Sequence, residues 1–181
     1  MLVQYFKITI LLLSTILLVG CSVKSPSVPS SDVDKLYRLI LTTSNNIPPT
    51  EARRLSYDIF QKTAKLTEEF EIVSPPLWHN FLVNTGVRKK GLCYHWSDAL
   101  FLHLKSQSYP SFEFHLVGAN IGEYWSEHNA IVILPKGSKS IEDSIIIDPW
   151  RGSGKLYFSI VREDKKYKWS FRKDREYGVI K

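Results

Sequence analysis

The chain is organised around residues 91–100, which read GLCYHWSDAL. A glycine precedes the Leu-Cys pair, and the apolar residues Trp96, Leu100 and Leu104 then follow at the spacing of one helical face. This pattern predicts a helix that begins near Cys93 and packs on a core. A thiol in the first turn of a helix faces unpaired backbone N–H groups and the positive end of the helix dipole. Because those groups favour the reactive thiolate, Cys93 is a candidate nucleophile.

Residues 1–20 have the pattern of a secretory signal peptide. They are mostly apolar, with Lys7 as an early positive charge, and they end in Gly20 directly before Cys21. The cysteine after a small residue resembles the lipobox of bacterial lipoproteins, which implies that Cys21 carries lipid and becomes the new N-terminus. A transmembrane anchor is the alternative, but a span needs ~20 apolar residues and this run is short. In Gram-negative lipoproteins, Ser22 in place of aspartate implies sorting to the outer membrane.

Residues 21–31 are rich in serine and proline and are predicted to form an extended tether. Residues 32–181 have a globular composition and are long enough for a single domain with a proper core. With Cys21 lipidated, Cys93 has no partner for an intramolecular disulfide. A buried inert thiol or an intermolecular pair are the alternatives to a reactive one.

The formal net charge of +6 does not indicate a nucleic-acid surface. Basic residues are densest in residues 162–181, where they alternate with acidic ones. Mixed signs favour a solvated face, with a weak attraction to anionic envelope polymers as the alternative.

The order of secondary structure predicts an α+β fold. Helices are predicted over Asp32–Leu41, after Pro48-Pro49 with Thr50 as N-cap, over Leu77–Val83 and from Cys93. Short β-branched and aromatic runs separated by turn residues predict strands at Phe112–Val117, Asn129–Leu134, Ser144–Ile147, Leu156–Val161 and, less clearly, Tyr167–Phe171. Helices first and strands afterwards indicate N-terminal helices packed on an antiparallel sheet.

A histidine and an aspartate mark the facing ends of two predicted strands. His128 starts one strand and Asp148 ends the next. If the strands form a hairpin that turns near Ser138, these two residues are directly opposed, with Cβ atoms ~5 Å apart. Asp148 can then accept a hydrogen bond from the imidazole. The register is an assumption, since a slip of one residue turns the side chains to opposite faces.

These residues are the components of a cysteine-nucleophile enzyme. Cys93 attacks, His128 takes and returns the proton, and Asp148 orients the imidazole. The oxyanion is met by the backbone N–H of Cys93 and an upstream polar group, for which Asn80 and Asn84 are the candidates. Trp78, Trp96, Trp125 and Trp150 are expected in the core, and Trp125 and Trp150 are also candidates for the wall of the cleft because they flank His128 and Asp148 in sequence.

The three motifs Gly91-Leu92-Cys93, Glu127-His128-Asn129-Ala130 and Asp148-Pro149-Trp150, in this order, resemble the transglutaminase-like branch of the papain-like cysteine enzymes. The resemblance covers roughly residues 86–161. It implies a papain-like α+β core and amide chemistry without a cofactor: peptide hydrolysis, deamidation or acyl transfer. Calcium-site and accessory-domain features of animal transglutaminases are not recognised, and the Asp-Cys-Ser signature of cell-wall peptidases related to NlpC is absent.

Two other classes of function remain open. Cys93, His95, His103, His128 and Asp148 suggest zinc, but the spacing of Cys93 and His95 turns them apart on a helix and no Cys-x-x-Cys pair exists. His95, His103 and His115 are therefore expected to be surface or hydrogen-bonded histidines. The other class is a non-enzymatic module that binds peptide or glycan, or scaffolds proteins, at the envelope. The favoured prediction is a lipid-anchored, periplasm-facing cysteine enzyme with a peptide or protein substrate.

Overall fold

The computed structural model describes residues 28–180. The predicted signal peptide, the predicted lipid site at Cys21 and residues 21–27 of the predicted tether lie outside the described residues. Among residues 28–180, no helix is both long and apolar enough to cross a membrane.

Over residues 28–180, four α-helices precede the sheet and a fifth follows it. They are α1 (Ser30–Thr42), α2 (Pro49–Glu69), α3 (Pro76–Asn84), α4 (Cys93–Ser106) and α5 (Lys173–Ile180). The first four match the predicted helices, but α1 starts inside the stretch predicted as tether. Thr50 is not the N-cap of α2, because Pro48 holds that position and Pro49 starts the helix. Proline suits this first position, where its missing N–H would have no intrahelical partner.

The strands form one antiparallel sheet, so the α+β prediction is confirmed. They are β1 (Phe112–Ala119), β2 (His128–Pro135), β3 (Ile145–Asp148), β4 (Tyr157–Ile160) and β5 (Ser170–Phe171), in the order β4-β3-β2-β1-β5. The predicted strand over Tyr167–Phe171 is limited to its last two residues. The earlier part of that stretch carries Tyr167 and Trp169 across the face of the sheet instead of along its edge.

The central strand β2 separates two apolar layers. Its side chains alternate between the faces of the sheet, as strand geometry requires. Ile131 and Ile133 join the main core with the helices, where α4 packs against β1 and β2. Ala130 and Val132 join a smaller core on the other face. Residues at the start of β2 therefore reach both sides of the sheet.

The register of the β2–β3 hairpin differs from the predicted one by two residues. Ile131 pairs with Ile147, so Asp148 lies in line with Ala130 and not with His128. The connection contains two turns, closed by the N–H of Ser138 and the N–H of Ser144, in place of the single turn predicted near Ser138. Because side chains alternate with a period of two, this shift leaves His128 and Asp148 on the same face.

Candidate active site

The cysteine lies at the N-terminal end of the helix that packs on the sheet. Cys93 is the first residue of α4, is half-buried and forms no disulfide. The N–H groups at the start of a helix have no acceptor one turn earlier. Here the N–H of His95 donates to the carbonyl of Leu92 at 2.9 Å, which leaves the N–H groups of Cys93 and Tyr94 beside the thiol. Gly91, two residues earlier, has a φ of +123°. Only glycine adopts this conformation without strain, and the turn it forms delivers the chain into α4.

The structure brings Cys93, His128 and Asp148 together. His128 Nε2 lies 2.7 Å from Asp148 Oδ2, and Cys93 lies close enough to the imidazole to raise its pKa. Because Nε2 is taken by the carboxylate, Nδ1 is the nitrogen left for the thiol. Residue His128 is 2% exposed to solvent and residue Asp148 is 0% exposed. The pair is thus shielded from water, while the cysteine is partly accessible.

The electrostatic surroundings favour a charged imidazole. Burial lowers the pKa of His128, but hydrogen bonds and charge interactions with Asp148 and Cys93 outweigh it and raise the pKa from 6.5 to about 9. The imidazole is therefore protonated at neutral pH, which is the state that stabilises a neighbouring thiolate. The same proton is available for delivery to a leaving group.

Three aromatic rings enclose the imidazole. Trp150 and Tyr167 each have a ring centroid 4.7 Å from that of His128, and Trp169 lies 5.5 Å away. Aromatic faces attract cations, so this enclosure suits an imidazolium and excludes water at the same time. Burial, followed by the charge of Asp148, raises the pKa of Tyr167, so its phenol stays neutral.

A second ion pair extends the site into the protein, and the sequence analysis missed it. Arg151 donates from its backbone N–H and from Nε to Asp148, at 3.2 and 3.0 Å. Its other nitrogens bind the buried Asp164 at 3.2 and 2.7 Å. Asp164 also accepts from the Trp169 indole at 3.0 Å. The charges His128, Asp148, Arg151 and Asp164 therefore alternate along one buried chain.

Asn129 is a further polar group beside the thiol that the sequence analysis did not select. Its side-chain nitrogen lies 3.8 Å from Cys93 Sγ. Arg172 donates to its amide oxygen at 3.5 Å, and Glu127 accepts from its nitrogen at 3.4 Å. Because β2 alternates, Asn129 points to the α4 face while His128 points to the other. In the sequence, the only signal for the role of Asn129 was its position directly after the histidine that starts a strand.

The weaker predicted site residues lie in three different settings. Trp150 packs on His128, and its indole donates to Asn80 Oδ1 at 3.0 Å, so both lie at this end of the sheet. Asn84 is exposed near the end of α3. Trp125 is 92% exposed and its ring contact is with Tyr124. The expectation that Trp125 lies in the core is wrong, because it belongs to the β1–β2 loop and not to a strand. Trp78 is also exposed, whereas Trp96 is buried.

The remaining predicted histidines have partners outside the cysteine centre. His103 lies 2.7 Å from Asp58 and His115 lies 3.1 Å from Glu176. His95 accepts hydrogen bonds from the turn before α4. Within residues 28–180, no group of three or more histidine, cysteine or carboxylate side chains is arranged to hold a metal ion.

No family model matches the chain, and neither the curated proteins nor the solved structures contain a match.

Proposed function

We propose that this protein is a cysteine enzyme that acts on amide or related acyl bonds through Cys93, His128 and Asp148. One observation carries the proposal: a single buried imidazole is hydrogen-bonded to a fully buried carboxylate and interacts on its other side with a thiol at a helix N-terminus. Burial of charged groups costs free energy, so a position needed only for packing is better served by apolar side chains.

In the proposed reaction, the Cys93 thiolate attacks the carbonyl carbon of the bound substrate. The new S–C bond pushes the carbonyl electron pair onto oxygen, and the oxyanion is met by the free N–H of Cys93 and by Nδ2 of Asn129. When the C–N bond breaks, the nitrogen takes the proton from His128 Nδ1 and leaves as an amine. The acyl group remains on Cys93 as a thioester.

The thioester is released by a second nucleophile. His128, now neutral, takes a proton from water or from an amine as that molecule attacks the thioester carbon, and the S–C bond breaks to restore the thiolate. Asp148 holds the imidazole in orientation through both halves of the reaction. Water gives hydrolysis or deamidation, and an amine gives acyl transfer.

The arrangement of elements supports a papain-like core of the transglutaminase-like type. The cysteine starts a helix that packs on an antiparallel sheet, the histidine starts one strand of that sheet and the aspartate ends the next strand. This chain order is the one on which the resemblance in the sequence rests. A peptide or protein is the proposed substrate.

The proposed location is the cell envelope, with a lipid on Cys21. The apolar residues 2–20 followed by Gly20-Cys21-Ser22 support this location. Expression in a bacterium supplied with an alkyne-labelled fatty acid tests it: the wild-type protein should take up label, and Cys21→Ser should not. Equal labelling of both proteins contradicts lipidation at Cys21.

The proposed chemistry is tested with p-nitrophenyl acetate as the acyl donor. The full chain should release nitrophenolate and gain an acetyl group on Cys93, detected by peptide mass spectrometry. Cys93→Ser should lose this acylation, and His128→Ala should slow it by about 10²-fold or more, the usual contribution of a general acid–base group. Addition of a primary amine distinguishes transfer from hydrolysis, because only transfer from Cys93 yields more acetylated amine with the wild-type protein than with Cys93→Ser.

Acylation of Cys93 at the same rate in wild-type and His128→Ala proteins contradicts the proposal. The non-enzymatic envelope module is then the better account.

A further inference from the structure

The turn before Cys93 is held by side chains that the proposed chemistry does not use. The N–H of Gly91 and the N–H of Leu92 both donate to Nδ1 of His95, at 3.1 and 3.2 Å. The carbonyl of Gly91 accepts from the Trp96 indole at 3.1 Å. Backbone groups on both sides of the turn are therefore fixed by side chains of the helix that Cys93 starts.

A second histidine holds the same turn from α3. His79 is 1% exposed, and its Nε2 lies 2.9 Å from the carbonyl oxygen of Lys90. Its Nδ1 accepts a hydrogen bond from the N–H of Val73 at 3.1 Å. Nδ1 is therefore unprotonated, and the N–H at Nε2 donates to the carbonyl of Lys90. The ring lies against Gly91 so closely that a Cβ there would be 2.1 Å from Nε2.

His95 can hold the turn only with Nδ1 unprotonated, because a proton on Nδ1 would face the two N–H donors of Gly91 and Leu92. Burial lowers the pKa of His95, and the positive charge of Lys90 lowers it further against the opposing effect of Asp98. The neutral form is therefore the working form near neutral pH.

We propose that His95 and His79 are positioning residues that hold the turn at Gly91 and so keep Cys93 against His128, and that protonation of His95 in acid releases the turn. This inference rests on the proposed function, because it assigns the two histidines to the setting of its nucleophile. It predicts that the reactivity of Cys93 falls as the pH is lowered, and that protonation of His128 or Asp148 is not the cause of this fall.

The charged surroundings of His95 have an excess of positive groups. The ionisable side chains that face it, or that line the same depression, are Lys62 and Glu69 of α2, His79 of α3, Lys90 of the turn, Asp98 and His103 of α4 and Arg175 of α5. His79 in turn faces His95 and the backbone of Lys90. Because the cations outnumber the two carboxylates, they disfavour an added proton on His95. Release of the turn therefore requires pH values below neutral.

The experiment follows alkylation of Cys93 by iodoacetamide in the full chain, read by peptide mass spectrometry between about pH 4.5 and 8. His95→Asn places an amide oxygen near the position of Nδ1, so it keeps an acceptor that does not titrate. His95→Leu removes the acceptor. We expect His95→Leu to react about tenfold more slowly at pH 7.5, consistent with the loss of a buried hydrogen bond.

His95→Asn is expected to react within about twofold of wild type at pH 7.5 and several-fold faster than wild type at pH 5, because its acceptor survives acid. A merely structural role of His95 would lower the melting temperature without changing the shape of the pH profile. If His95→Leu does not fold, the acid limb of His95→Asn decides alone. An acid limb identical to wild type overturns the inference.

His128→Ala is measured beside these variants. If it leaves alkylation unchanged at every pH, the proposed function itself fails. If it slows alkylation and the His95 variants follow the wild-type profile, only the positioning role fails.

Discussion

The two halves of the candidate site are held in place by different physical means. In the nucleophile half, Gly91 is buried and Leu92 and Cys93 are half-buried. This half is fixed by neutral hydrogen bonds between backbone groups and the side chains of His79, His95 and Trp96. The base half is buried, and it is fixed by a chain of alternating charges that starts at His128 and ends at Asp164.

The difference follows from what each half does. The nucleophile must meet a substrate, so Cys93 stays partly accessible while uncharged hydrogen bonds beneath it hold a turn whose shape only glycine allows. The base must keep a raised pKa, so its support consists of charges in a dry setting where they interact strongly. Each half is therefore expected to fail under a different kind of change.

The largest effect is expected from breaking the buried charge chain. Arg151→Met leaves the buried carboxylate of Asp164 without a cation and leaves Asp148 with His128 alone, which costs about 3–5 kcal/mol of unfolding free energy by analogy with other broken buried pairs. Chemical denaturation measures this cost. The control is Arg162→Met, which breaks an exposed pair with Asp143 whose side chains are 55% and 63% exposed and should cost less than ~1 kcal/mol. Equal costs in the two variants contradict the importance of the buried chain.

The next largest loss of stability is expected from a steric clash in the nucleophile half. In Gly91→Ala the new Cβ would meet His79 at 2.1 Å, in a backbone conformation with φ of +123°, so we expect a loss of about 2–4 kcal/mol. Gly137→Ala is the matched control, since its φ is +83° and nothing lies within 4 Å of the added Cβ. This control should cost only about 1 kcal/mol for the positive φ. A smaller loss in Gly91→Ala than in Gly137→Ala would show that the turn has room.

A pH dependence distinguishes the charged half from the neutral half. Because the pKa of His128 is about 9 when folded and 6.5 ordinarily, its protonation stabilises the fold fully below about pH 6.5. That contribution is lost as the pH rises through 9. The thiol is removed from the titration with Cys93→Ser in both proteins, which also removes part of the rise in the pKa of His128. The stability advantage of His128 over His128→Gln should therefore fall by about 2 kcal/mol over this range, less than the full shift would give. A difference that does not change with pH contradicts a raised pKa.

The smallest effect is expected where the two halves meet. Asn129→Ala removes the amide that lies 3.8 Å from the thiol, and acylation of Cys93 by p-nitrophenyl acetate should slow about tenfold or more, as for a lost oxyanion donor. Asn80→Ala is the comparison, because the oxygen of Asn80 is bonded to Trp150. A larger loss in Asn80→Ala would move the oxyanion role to the residue predicted from the sequence.

The sequence predicted the parts of this structure that depend on local pattern. Apolar spacing located the helix that starts at Cys93, and β-branched runs located the strands that carry His128 and Asp148. The register was wrong by two residues, because it depends on the double turn over residues 135–144. Because the shift is an even number of residues, the side chains of His128 and Asp148 still lie on the same face of the sheet.

The residues that support the site were not predictable in the same way. Asp164 lies in a stretch of alternating charges, which is typical of a solvated surface, yet the fold buries it against Arg151 and Trp169. Trp125 shows the reverse problem: an aromatic side chain expected in the core lies in the loop three residues before β2 begins and is 92% exposed.

The central claim is that Cys93 and His128 act as one pair. The most direct test is the rate of alkylation of Cys93 by iodoacetamide against pH, in the full chain and in His128→Ala, with folding verified by circular dichroism. The account predicts that the wild-type thiol reacts at least about tenfold faster than the variant at pH 6–7, below the range near 8.5 where a free thiol titrates. Superimposable profiles for the two proteins would contradict the pair.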